Sequence, residues 1–161
     1  MKIVWVRSNK LFSKLIMWVL EEPVSHMAIV FDNKIVFHAD LMGVRLAWYP
    51  TFLKTHQVVE EIDFDLSLQD EEEVYQSIIT ANDGKPYDYG AFAYFTYRGL
   101  LRKCFGTPLP EKNPWGSEDR YLCDEMVEVL PDWIIPQSVK EVDIGMKSPW
   151  QVYLLLKATL K

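Results

Sequence analysis

Two stretches far apart in the chain carry residue types that could do covalent chemistry. Ser25-His26-Met27-Ala28-Ile29-Val30-Phe31 reads as a core strand opening on a histidine. Asp32-Asn33-Lys34 turns it into a second apolar run, Ile35-Val36-Phe37-His38-Ala39. Far downstream, Cys123 lies in Arg120-Tyr121-Leu122-Cys123-Asp124-Glu125-Met126. A thiol, an imidazole and a third group that orients the imidazole are the parts of a nucleophile that passes through an acyl-enzyme. In that arrangement Cys123 attacks, His26 is its base, and His38 accepts a hydrogen bond from the other ring nitrogen of His26. The product of attack is a thioester, resolved by water or another acceptor.

Geometry sets conditions on this expectation. Side chains alternate across a strand, so an odd number of turn residues keeps even positions of both strands on one face. A three-residue loop, with Asn33 or Lys34 in the bulged position, puts His26 and His38 together. Ser117-Glu118-Asp119 supplies a cap and acidic first-turn residues, which predicts a helix over 117–130 with Cys123 near its start. A helix N-terminus and a neighbouring imidazolium would both favour the thiolate. The Cys123 backbone N–H could form half of an oxyanion hole, and Tyr87 or Tyr89 could offer a second donor.

Plainer readings compete. A cysteine on an apolar helix face is usually core, which suits Cys104, and buried histidines can be structural. His56, beside Gln57 at a strand start, reads as surface or structural. Asp124 reads as first-turn electrostatics or a rim residue. Two histidines and a cysteine could also ligate zinc with water completing the site, yet no further ligand stands at matching spacing. No Gly-rich phosphate loop occurs, and no cofactor is expected.

The elements that must position these groups follow from periodicity. Lys2 to Arg7 is a short strand. Residues 11–21 repeat Leu11, Leu15, Ile16, Trp18 and Val19 at helical spacing, and Pro23 ends the segment. A membrane-surface role competes with core packing, and one internal lysine without a basic face makes core packing the expected role. Strands are expected at 44–48 and 56–64. Ser67 caps a helix over 68–81, and an aromatic-rich helix over 91–104 ends at Gly106. Residues 107–116, with three prolines, form a loop that could wall a cleft. Residues 139–144 and 150–158 are read as closing strands of an antiparallel sheet.

At 161 residues, one domain over 1–161 is expected. The net charge is −6, from 17 basic and 23 acidic residues, and no basic stripe stands out. A nucleic-acid partner is therefore disfavoured. Two cysteines make no disulfide framework and fit a reducing compartment. The apolar stretch Leu11 to Leu20 is too short to span a bilayer and makes a poor signal peptide. A cytoplasmic location is the expectation, and release by lysis or packaging in a virion would be compatible with it.

The order of these pieces resembles the circularly permuted branch of the papain-like, NlpC-type cysteine hydrolases, the YiiX-like and lecithin-retinol-acyltransferase-like group. The resemblance rests on Val6-Arg7-Ser8-Asn9 through Leu11, Ser13, Leu15-Ile16 and Trp18 to Pro23 and Ser25-His26. It continues with Gly84-Lys85-Pro86-Tyr87-Asp88-Tyr89 and Tyr121-Leu122-Cys123. It covers about residues 5–130. The resemblance implies an α+β fold, an antiparallel sheet packed against helices with the nucleophile at a helix N-terminus, and Cys123, His26 and His38 as catalytic residues. It further implies cleavage of an amide or peptide bond, including cell-wall peptide, or of lipid-linked acyl groups. A phage or bacterial origin suits the group. A catalytically idle structural or virion protein of the same fold is the contrasting class.

Overall fold

The computed structural model describes residues 1–108, 114–117, 119–142, 144 and 147–160. Its centre is a five-stranded antiparallel sheet in the order β4-β3-β2-β1-β5. The strands are β1 (Lys2–Arg7), β2 (His26–Val30), β3 (Ile35–Asp40), β4 (Gly43–Trp48) and β5 (Gln57–Asp63). The helices are α1 (Leu11–Leu20), α2 (Tyr49–Phe52), α3 (Leu68–Asn82), α4 (Tyr89–Phe105), α5 (Gln137–Lys140) and α6 (Pro149–Thr159). This is a mixed α+β fold with helices packed on an antiparallel sheet, as the sequence led us to expect.

Alternation along the strands divides the interior into two layers. Ile3, Trp5, Met27, Ile29, Phe37 and Ala39 face the larger core, with α3, α6 and the 122–135 segment against them. Val4, Val6, Ala28, Val30 and Val36 face a smaller cluster closed by Phe52 of α2. The β2–β3 connection is the three-residue loop Asp32-Asn33-Lys34, flanked by the Phe31 N–H to Ile35 C=O bond of 2.9 Å. Lys34 takes the bulged, left-handed position at φ 66°, and Asn33 Oδ1 accepts from the Ile35 N–H at 3.0 Å. The odd loop sets the pairing Ile29 with Phe37 and Val30 with Val36, which gives His26 and His38 one face.

Two segments differ from their expected form. Among the described residues of 117–130 no α-helix forms. Tyr121 is extended and bridges Tyr87 in parallel, its N–H bonded to the Pro86 carbonyl at 3.2 Å. The Ser117 N–H donates to Asp88 Oδ2 at 2.7 Å. Asp88 also caps α4 by accepting the Ala91 N–H at 2.8 Å. This tertiary bonding outweighs the local cap signal, and among the described residues the helical part of this segment is the 3-10 turn Glu125–Val127. Cys123 stands two residues before it, so the expected nucleophile at an α-helix N-terminus is corrected. The expected closing strands are also corrected. Residues 139 and 140 lie in α5, 150–158 lie in α6, and residue 143 falls outside the described residues. Ser148 Oγ accepts the Gln151 N–H at 3.1 Å while Gln151 Oε1 accepts the Ser148 N–H at 3.0 Å. That reciprocal capping box, with Pro149 at the first turn, starts α6. Residues 109–113 of the loop expected to wall a cleft lie outside the described residues.

Among the described residues, no helix is long and apolar enough to cross a membrane.

Candidate functional site

The site arises where the sheet comes apart. The β1–β2 ladder runs to the Val6–His26 pair, and the β3–β4 ladder runs to the Asp40–Gly43 pair. The β2–β3 ladder, however, pairs only Ile29 with Phe37 and Val30 with Val36. Beyond Ile29 and Phe37 the two strands are no longer paired. A cleft of about 360 Å³ opens there, lined by Ser25, His26, Asp40, His56, Tyr87 and Cys123 among others. Residues from both faces of the sheet thus reach one cavity.

At the edge of this cleft His26 Nε2 lies 3.3 Å from His38 Nδ1. Their rings meet edge-on with centroids 5.5 Å apart. His56, read from the sequence as surface or structural, joins them. Its ring stacks on Phe52 at 4.1 Å and lies 5.8 Å from the His26 ring. Its Nδ1 lies 3.0 Å from both the Phe52 carbonyl and Thr55 Oγ1. The parity of β5 carried a signal for this, because His56 shares the face of Val58, which pairs with Val6 beside His26. All three histidines of the chain therefore gather on the smaller-core side.

Cys123 approaches from the opposite layer. It is 8% exposed and packs with Met27, Leu122 and Met126 of the larger core. Its sulfur faces Asp124 Oδ1 at 4.0 Å. Among the described residues, no hydrogen bond joins Cys123 to His26 or His38. Asp124, expected as a first-turn or rim residue, is buried. Tyr87 is buried and lines the cleft beside Cys123. Tyr89 is turned elsewhere, its hydroxyl donating to the Leu41 carbonyl.

Burial governs the electrostatics. Desolvation, and then the His38 charge, push His26 well below the ordinary imidazole value. Desolvation lowers His38 to about 4, partly offset by Asp40. Desolvation, followed by the Asp124 charge, raises the Cys123 thiol, against which the Met27 backbone N–H works. Asp124 is pushed well up by desolvation and then by Glu125. Tyr87 is raised well above the phenol range, again by burial first. At neutral pH the site holds a thiol, neutral imidazoles and a phenol, and burial opposes ionisation of the Asp124 carboxyl. A resting thiolate–imidazolium pair is disfavoured, and no helix terminus compensates for it. Among the described residues, no cluster of three or more His, Cys, Asp or Glu side chains is arranged to hold a metal ion.

A second, narrow cavity of about 40 Å³ also opens beside Cys123. Ile16, Val19, Phe92, Phe95 and Leu122 give it apolar walls, and Ser25, Tyr87 and Cys123 line both cavities. Comparison of the sequence with protein-family models finds no match, and comparison with curated proteins finds none either.

Proposed function

We propose that the protein is a cysteine-dependent hydrolase of permuted papain-like type, cleaving an amide or peptide bond through a thioester acyl-enzyme. Cys123 is the nucleophile, His26 its base and His38 the orienting residue. The observation that carries this reading is the cleft at the β2–β3 gap, onto which Cys123 and the hydrogen-bonded His26 both open. The resemblance of the chain from Val6 to Cys123 to the permuted papain-like group supports it as well.

With His26 Nε2–H donating to His38, Nδ1 of His26 keeps its lone pair and can act as base. The sulfur must first leave Asp124 and turn toward the gap. It then adds to the carbonyl carbon while its proton passes to His26. Because burial favours the neutral forms, the proton moves during attack rather than before it. His26 next gives that proton to the leaving amine as the C–N bond breaks. Water, deprotonated by the same imidazole, adds to the thioester, and the C–S bond breaks as the sulfur regains a proton. The Cys123 N–H and the Tyr87 hydroxyl, which burial keeps protonated, are the donors for the oxyanion.

The apolar cavity beside Cys123 favours a second substrate class, an acyl ester or amide whose chain enters that space. Incubation with short peptides and with phospholipids, followed by product analysis, distinguishes the two classes. Loss of hydrolysis in folded Cys123→Ala and His26→Ala variants supports the mechanism. Hydrolysis that survives in Cys123→Ala rejects it. A chain that hydrolyses neither substrate, and whose Cys123→Ala variant keeps full biological function, belongs to the idle structural class.

A further inference from the structure

The outer face of α1 was expected in the core and is not there. Its inner side is fixed by a close crossing with α4, where a β-carbon on Gly99 would come within 2.7 Å of Val19 Cγ1. The opposite side presents Leu11 at 86% exposure, Leu15 at 43% and Trp18 at 56%. These residues stand at i, i+4 and i+7, one face of a helix. Leu41 and Met42, at the β3–β4 turn, are also exposed, Met42 at 81%. Leu41 and Met42 line the cleft together with Phe12 of α1. Exposed apolar side chains thus stand on both lips of the cleft mouth.

Charge separates this region from the rest of the chain. Residues 1–20 contain no Asp or Glu and carry Lys2, Arg7, Lys10 and Lys14, in a protein of net charge −6. Lys10 and Lys14 border the apolar face of α1, and among the described residues neither forms an ion pair. Lys103 sits 4.6 Å above the Trp18 ring and pairs there with Glu21 at 2.9 Å, so the edge of the patch beside Trp18 is charge-balanced. An apolar helix face bordered by Lys10 and Lys14 and anchored by an exposed tryptophan, with Glu21 at its far end already neutralised by Lys103, matches the chemistry of a lipid interface with anionic headgroups. Two separate apolar projections flanking an opening suit a flat partner that touches both at once.

The geometry points to α1 and the β3–β4 turn as a docking surface for an anionic membrane, which seats the cleft mouth against the lipid headgroups. This rests on the exposed surface and not on the thiol chemistry. The test is cosedimentation of the full chain with phosphatidylcholine vesicles, with and without phosphatidylserine. Binding is expected with phosphatidylserine and should weaken in high salt. Lys10→Gln with Lys14→Gln should weaken it about thirtyfold, two surface cations' worth. Leu11→Asp with Leu15→Asp should abolish it without lowering the melting temperature, since both positions face solvent. The inference fails if neither vesicle binds, or if the aspartate pair leaves binding unchanged. It also fails if the same pair dissolves a dimer of this chain while the parent protein ignores vesicles. Sedimentation does not depend on turnover, so a membrane-bound but inactive chain would reject the hydrolase alone, and an active unbound one would reject the docking surface alone.

Discussion

Asp124→Asn gives a direct reading of the carboxyl beside the candidate nucleophile. Asp124 is 4% exposed, and its Oδ1 lies 4.0 Å from the Cys123 sulfur. Burial and the Glu125 charge push its proton affinity well up. In the unfolded chain the same carboxyl ionises near the ordinary Asp value of about 3.9. Between those two values the unfolded state has lost a proton that the folded state keeps. Stability must therefore fall as pH rises, by about 1.4 kcal/mol per pH unit, until the native group ionises. Asparagine preserves shape and the Oδ1 acceptor but removes the titration. The variant should match the parent near pH 4 and gain on it steadily at higher pH. Urea unfolding of both proteins from pH 4 to pH 8 measures the difference, and contributions from the histidines, common to both, cancel. A difference that stays flat across that range would mean that the native carboxylate is ionised, and the account of a neutral, desolvated site would be wrong.

Three further outcomes follow from the structure. His38→Asn should flatten the acid side of the stability profile. His38 is held neutral by burial down to about 4, so its contribution is complete above the unfolded value near 6.5 and is lost as pH falls from there, by up to about 3 kcal/mol, measurable by melts at pH 7 and pH 4.5. Ser148→Ala removes the cap of α6 and the 2.7 Å hydroxyl donor to Glu22, and should cost about 1–3 kcal/mol in urea unfolding. Gly43→Ala should destabilise by about 1–3 kcal/mol, because Gly43 has φ 105° and a β-carbon there would meet the Lys85 carbonyl at 2.7 Å. Since Lys85 leads directly into Tyr87, the same variant should lower any hydrolytic rate more than an equally destabilising change in α3.

Much of the fold was legible in the sequence because its strands and long helices have clean periods. Residues 2–7 and the two runs of the histidine hairpin are short, strongly apolar and separated by turn residues. Ser67 and Gly106 mark the start of α3 and the end of α4 by side-chain or backbone rules that act locally. The shared face of His26 and His38 followed from counting three turn residues. What was not legible depends on partners distant in sequence. Ser117 reads as a cap until Asp88 takes its N–H, and Tyr121 reads as helical until Pro86 and Asp88 pair with it. The burial of Asp124 likewise needs the whole fold. The strand reading of 150–158 is different, since Ser148-Pro149-Trp150-Gln151 already displays a capping box, and Val152 and Leu156 repeat at helical spacing. For α1 the spacing correctly gave a helix but not which side faces inward, because apolar residues occupy nearly its whole circumference.

The crossing at Gly99 ties two otherwise separate properties to one atom's worth of space. The wall of the inner cavity includes Val19 of α1 and Phe95 and Thr96 of α4, while Phe12 of the same α1 helps line the outer cleft. A β-carbon at position 99 would crowd Val19 Cγ1 at 2.7 Å and Leu20 Cδ2 at 3.4 Å, so those side chains or α1 itself must give way, which reshapes the inner cavity and can shift the outer cleft with it. Substitution at 99 should be tolerated only with a shortened residue at 19, and such paired changes offer a route by which descendants of this fold could retune which molecules they admit without altering a single polar group.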